Sequence, residues 1–253
     1  MRFSYLGSGS RGNAALIQAG QTLLMVDCGF TLAESERRLR RAGVAPEALS
    51  AILVTHEHAD HIGGVALLAR KYEIPVWMTH GTHRAWLDPV VPKLGFCNAH
   101  TCFSIGDIEV QPYPVPHDAR EPCQFVLSDG QRRVGVLSDA GHVTAHMRES
   151  LSGCDALLVE CNHDPEMLAR GPYPAALKTR VGGPLGHLSN QQTAQMLTEL
   201  DLGRLQQLVV AHISETNNRP ALARAALVAA INCAEDWIAV ADQDRGLDWR
   251  ELQ

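Results

Sequence analysis

Apolar residues in this chain collect in short runs separated by amphipathic stretches and by Gly/Pro-rich punctuation. Residues 2–6, 14–19 and 22–26 are compact and strand-like, and 51–54, 75–78, 108–113, 156–159 and 208–211 repeat the type. Residues 125–128 and 132–137 flank Asp129-Gly130 as a hairpin would. Helical spacing runs over 31–42 (closed by Gly43), 62–72, 81–87, 190–200 behind Ser189 as cap, and 220–231 behind Pro220. Residues 237–241 read as a closing strand, and Arg37, Arg38, Arg40 and Arg41 as a solvated basic face of the first helix. Strands alternating with helices in this way predict an α/β fold.

The polar residues are placed as tellingly as the apolar ones. The run 51–54 ends in Thr55-His56-Glu57-His58-Ala59-Asp60-His61, and a helical pattern follows at once. His56 and His58, two apart in extended backbone, face one way, while Asp60 and His61 open the next helix from another direction. Imidazoles and a carboxylate from one loop can thus serve two adjacent metal ions. The plainer alternative is a polar loop with Asp60 as a helix cap. His117, Asp139, Glu160 and His212 also lie at or within three residues of a strand end, where loops of one rim converge. His80, His83 and His100 have no such pattern and read as ordinary loop histidines.

Composition narrows the setting. The 253 residues, 45% hydrophobic and 20% charged, suit one α/β domain over 1–253, with no repeat and no internal boundary. No apolar stretch is long enough for a bilayer, and residues 1–8 lack an apolar leader. Seven cysteines without a C-x-x-C pair read as reduced thiols, so a cytoplasmic location without membrane association is expected; oligomeric state is open. A net charge of −6 does not suggest a nucleic-acid binder, yet bound cations or local basic patches leave one open. The loop Gly7-Ser8-Gly9-Ser10-Arg11-Gly12-Asn13 is either a hairpin connection or a backbone nest for phosphate with Arg11 and Asn13 beside it.

His56-x-His58-x-Asp60-His61, His117, Asp139 and His212, in this order, resemble the ligand set of the metallo-β-lactamase fold. More narrowly, the Gly7–Asn13 loop, Glu160-Cys161-Asn162-His163-Asp164, Gly186-His187-Leu188-Ser189-Asn190 and Ala211-His212-Ile213-Ser214 resemble the bacterial YycJ/WalJ-like family over nearly the whole chain. The resemblance implies an αββα sandwich of two mixed sheets flanked by helices, and 5′→3′ exonuclease action on DNA rather than RNA. It implies two divalent ions, zinc or manganese. His56, His58 and His117 would hold one, Asp60, His61 and His212 the other, and Asp139 would bridge. His187 resembles a proton-donating histidine of the RNase Z branch, and Glu160 the carboxylate that orients it. Asn13, Asn162 and His163 are candidate substrate contacts. The chain has no room between Asp139 and His212 for a β-CASP domain and lacks the long Gly/Pro arm of RNase Z, which disfavours RNA processing. A hydrolase of small phosphodiesters or another small molecule, and a metal-binding regulator without turnover, are the alternatives.

Overall fold

The computed structural model describes residues 1–253. In chain order the elements are β1 (Arg2–Gly7), β2 (Ala14–Ala19), β3 (Thr22–Val26), α1 (Leu32–Arg41), β4 (Ala51–Leu53), α2 (Ala59–Ile62), α3 (Val65–Tyr72), β5 (Val76–Met78), α4 (His80–Ala85), β6 (Leu94–Phe96) and β7 (Phe103–Ile105). They continue with β8 (Ile108–Pro114), β9 (Cys123–Ser128), β10 (Arg133–Leu137), α5 (Ala145–Leu151), β11 (Ala156–Glu160), α6 (Pro165–Arg170) and α7 (Ala175–Val181). The last are α8 (Asn190–Thr198), β12 (Gln207–Ala211), α9 (Pro220–Ile231), β13 (Ile238–Val240) and β14 (Leu247–Glu251).

Two seven-stranded sheets form, ordered β14-β1-β2-β3-β4-β5-β6 and β13-β12-β11-β10-β9-β8-β7. Their inner faces meet in one apolar cluster, to which Ile17, Leu24, Leu53, Phe125 and Leu158 belong. The alternate residues Leu16, Met25 and Ile52 face outward into a cluster under α1 and α3. Leu157, Val159 and Val210 likewise pack outward with Met196 and Leu197 of α8 and Leu227 of α9. The period-two alternation of side chains across a strand therefore builds three apolar layers and covers both sheets with helices. This is the expected αββα sandwich.

Strand direction positions the site. β9 runs antiparallel to both β8 and β10, while β10, β11 and β12 are parallel, so β8, β10, β11 and β12 all point one way. Their carboxyl ends share a rim, which is where open α/β sheets place ligands.

Most predicted elements lie within two or three residues of their expected bounds, and Ser189 with Gln192 forms a full capping box on α8. Three expectations need correction. Arg38 is buried, not solvated: its guanidinium donates to the carbonyls of Leu6 and Gln243, each at 2.8 Å, and lies 4.0 Å over the Phe30 ring. The strand near 237–241 does not close the fold; β13 edges the second sheet, and the chain returns to pair β14 with β1 in the first. The Gly/Pro-punctuated residues 170–184, to which the sequence pattern assigns no element, hold the helix α7.

Candidate active site

The His/Asp loop is held from below by Asp27, which follows β3 with a left-handed backbone (φ 60). Its carboxylate accepts the Thr55 N–H at 2.8 Å, the Thr55 hydroxyl at 2.8 Å and His61 Nδ1 at 2.7 Å. With its hydroxyl proton on Asp27, the Thr55 oxygen is free to accept from His56 Nδ1 at 3.0 Å. Both imidazoles therefore keep the proton on Nδ1 and turn an Nε2 lone pair toward the cavity. His117 does the same from the end of β8, its Nδ1 donating to the Gly186 carbonyl at 2.9 Å. Outer hydrogen bonds of this kind fix the tautomer a metal ligand needs.

The predicted residues converge. His58 Nδ1 lies 3.0 Å from His56 Nε2 and 3.2 Å from His117 Nε2. Asp139 follows β10 and His212 follows β12, both with left-handed backbones (φ 51 and 49). Non-glycine residues held in that region concentrate at functional sites because the surrounding structure must enforce them. One Asp139 oxygen is 2.9 Å from His61 Nε2, and the other is 3.3 Å from His212 Nδ1. Asp60, on α2, is 3.5 Å from both His61 Nε2 and His212 Nε2. His56/His58/His117 and Asp60/His61/His212 each form a group whose ligand atoms lie within 4.8 Å of one another.

These residues fit divalent cations. His61 gives its Nδ1 proton to Asp27, so its Nε2, facing the carboxylates of Asp139 and Asp60, needs either a second proton or a metal cation between them. Both ring nitrogens of buried His212 lack a hydrogen-bond partner. The electrostatics agree. Burial alone would lower the His61 pKa, but Asp139, Asp27 and Asp60 drive it well above its ordinary value. Burial would raise Asp139 and Asp60, yet the surrounding histidines hold both well below the carboxylate range. The site is a sink of negative potential lined with nitrogen lone pairs, and mixed N/O donors of this kind suit zinc or manganese.

Glu160 ends β11. One of its oxygens accepts the Ala140 N–H at 3.0 Å, and the other takes His187 Nδ1 at 2.9 Å. Burial would lower the His187 pKa; the Glu160 carboxylate, with Asp139, raises it to about 9. His187 Nδ1 is also 3.2 Å from Asp139, and its ring lines the cavity.

The candidate substrate contacts fare differently. Asn13 is buried and committed inward: its carbonyl accepts the Gly9 N–H at 2.9 Å, and its amide nitrogen lies 3.1 Å from the Gly9 carbonyl and 3.2 Å from His61 Nε2. The N–H groups of Ser8, Gly9, Arg11, Gly12 and Asn13 are all taken by protein acceptors. Arg11 is paired with Glu215 and Asp244. The loop is thus a braced hairpin connection that supports Asp60 and His61, and of its residues Ser10 lines the cavity. Asn162 reaches the cavity wall while donating to the His212 carbonyl at 3.2 Å. His163 is buried behind it, and burial followed by the charge of His187 lowers its pKa to about 4, so it stays neutral.

The cavity, of about 380 Å³, has a wall that sequence reasoning did not assign. Asp118, Tyr173, Leu177, Arg180 and Val181 line it together with His58, His187 and His212. Asp27, Thr55 and Asp118 were also missed. Asp27 obeys the same strand-end rule as Asp139 and His212, so that signal was present; the wall has no comparable pattern.

Comparison with known proteins agrees with this fold. Residues 22–213 match the family described as Beta-lactamase superfamily domain. The chain is 35% identical over 229 residues to "Exodeoxyribonuclease YycJ" of Bacillus anthracis, covering 88% of this chain and 86% of that one. It is 32% identical to "Exodeoxyribonuclease WalJ" of Streptococcus pneumoniae, covering 98% and 92%. Among solved structures, zinc-bound PqqB from Methylobacterium extorquens superposes with a TM-score of 0.74 at 18% identity, all of both chains covered. The short form of human tRNase Z superposes with 0.69 at 14% identity, again over all of both chains.

Proposed function

The chain belongs to the β-lactamase superfamily and is a hydrolase, and from that premise we propose that it is a metal-dependent phosphodiesterase that removes nucleotides from the 5′ end of DNA. Two divalent ions are the cofactor in this reading. His56, His58 and His117 would hold one and Asp60, His61 and His212 the other, with Asp139 within reach of His61 and His212. When bound, the ions supply an acidified water and positive charge against the phosphate oxygens.

The chain's own residues do the rest. Asp60 accepts a hydrogen bond from the attacking water and aligns it with the phosphorus. His187 gives a proton to the departing 3′ oxygen, and Glu160 holds that imidazole in its charged form and fixes its direction. The His187–Glu160 contact at 2.9 Å, beside the converging His/Asp set, is the observation that carries this reading. An alkoxide leaving group needs a proton donor there. DNA as substrate is supported by the names of the two relatives matched over nearly their full length.

The test is incubation of the purified protein with manganese or zinc and 5′-phosphorylated single- and double-stranded DNA, RNA and bis-p-nitrophenyl phosphate, beside an Asp60→Ala control. Stepwise loss of nucleotides from the 5′ end of DNA, absent in the control, is expected. Turnover of the small diester alone would replace the exonuclease by a small-molecule phosphodiesterase. Turnover of nothing would favour a metal-binding regulator. His187→Ala should keep its metal content and lose about 10²- to 10⁴-fold in turnover. Loss of metal in that variant would make His187 a ligand, since it lies within reach of Asp139 and His212.

A further inference from the structure

The segment between α6 and His187 contributes little to the core. None of α7 is buried, and Leu185 beyond it is half exposed. Yet the segment is anchored firmly to the site. The His187 N–H bonds the Val181 carbonyl at 2.9 Å, the Asp118 N–H bonds the Leu185 carbonyl at 3.0 Å, and Gly186 holds His117. A side chain at Gly186 would collide with the carbonyls of Arg180 and Val181, so the close seating of this cap depends on that glycine.

The cap presents two kinds of chemistry to the cavity. Tyr173, Leu177 and Val181 make an apolar face with one aromatic ring. Arg180 uses only Nε on the protein, against Asp118 Oδ2 at 2.5 Å, and neither terminal nitrogen of its guanidinium has a protein partner. Asp118 in turn sits 3.4 Å from His117 Nε2, so the fork is oriented by a residue that touches the ligand cluster. Guanidinium forks with free terminal N–H pairs match phosphate oxygens.

We propose that this cap is the subsite for the terminal nucleotide: the base or sugar lies against Tyr173 and Leu177, and the 5′-phosphate is taken by Arg180. The inference rests on the phosphodiesterase reading and deepens it. In that reaction an oxygen–phosphorus bond forms from water, the bond from phosphorus to the 3′ oxygen breaks, and the His187 proton goes to that oxygen. The 3′ oxygen belongs to the terminal nucleotide, so that nucleotide must lie on the His187 side, where the cap is attached. A cavity of about 380 Å³ has room for a single nucleotide, which suits a chain end better than a continuous strand.

The test is calorimetric binding of a deoxynucleoside 5′-monophosphate to the manganese-loaded protein, with inorganic phosphate and the unphosphorylated deoxynucleoside as separate arms. The wild type should bind the monophosphate more tightly than either part. Arg180→Gln should weaken the monophosphate by about 10- to 100-fold. Tyr173→Ala should weaken it by roughly 5- to 100-fold, while Tyr173→Phe retains it. In digestion of DNA, Arg180→Gln should also erase most of any preference for 5′-phosphorylated over 5′-hydroxyl ends. Monophosphate binding equal to that of phosphate, or unaltered by Arg180→Gln and Tyr173→Ala, overturns the subsite. Failure of the wild type to digest DNA, with monophosphate binding intact and dependent on both residues, would remove the exonuclease reading and keep the subsite.

Discussion

Replacing Asp27 by asparagine should damage one metal position through the tautomer of a histidine that the new amide would still touch. Asp27 receives three donors, the Thr55 N–H, the Thr55 hydroxyl and His61 Nδ1–H, at 2.7–2.8 Å. An asparagine tolerates the backbone there, φ 60, as well as an aspartate does, so the fold should persist. Its oxygen can keep the Thr55 N–H, but its amide nitrogen then faces Thr55 and His61 with protons of its own. His61 must accept at Nδ1, which moves its proton to Nε2 and puts it where the ion proposed for Asp60, His61 and His212 would bind. Second-layer changes of this kind cost about 10- to 100-fold in metal affinity, roughly 1.4–2.7 kcal/mol. The ion proposed for His56, His58 and His117 should suffer less, since His56 is reached only through the Thr55 hydroxyl. Competition against a chromophoric chelator resolves the two affinities, and thermal melting of the metal-free protein controls for folding. Two unaltered affinities would refute the tautomer argument. A melting temperature that falls steeply without metal would make Asp27 a structural residue first.

Glu160→Gln should pull the high-pH limb of the turnover profile downward. A general acid must be protonated, so activity is lost as pH rises through the His187 pKa, and without the carboxylate burial lowers that pKa from about 9; an unmoved limb in a pH–kcat series would show that His187 is not the acid. Chelation should abolish turnover and lower the melting temperature, since an ion present at 100 times its Kd stabilises by about 2.7 kcal/mol per site; a melt indifferent to added zinc or manganese would contradict the metal assignment. Phe125→Ala removes a fully buried ring between the two sheets and should cost about 3–5 kcal/mol in denaturant unfolding; a loss under about 1 kcal/mol would mean the layer repacks.

Much of the architecture follows from local pattern. Strands β3, β11 and β12 are buried almost throughout, so they stand out as apolar runs, and Asp27, Glu160 and His212 stand at their ends because side chains needed at a rim must leave the core there. The short spacing of His56, His58, Asp60 and His61 makes a cluster legible without any tertiary knowledge. Other elements were less legible: α5, α6, α7, β6, β7 and β14 are short and weakly periodic, and no residue of α7 is fully buried. Arg38 shows the opposite failure, a charge in a basic run that only packing against Phe30 and two carbonyls could place inside.

The sequence by itself therefore determined the class of fold and the kinds of ligand atom, because hydrophobic period and residue type are local properties. Tertiary structure alone decided which histidine nitrogen faces the cavity, since that depends on Asp27, Thr55 and Gly186, which lie on other segments. It also decided that Asn13 bonds the Gly9 backbone within its own loop, and that Arg180 and Tyr173 line the same cavity as His187. Most of these are relations between residues far apart in the chain, and no spacing along it encodes a distance through space.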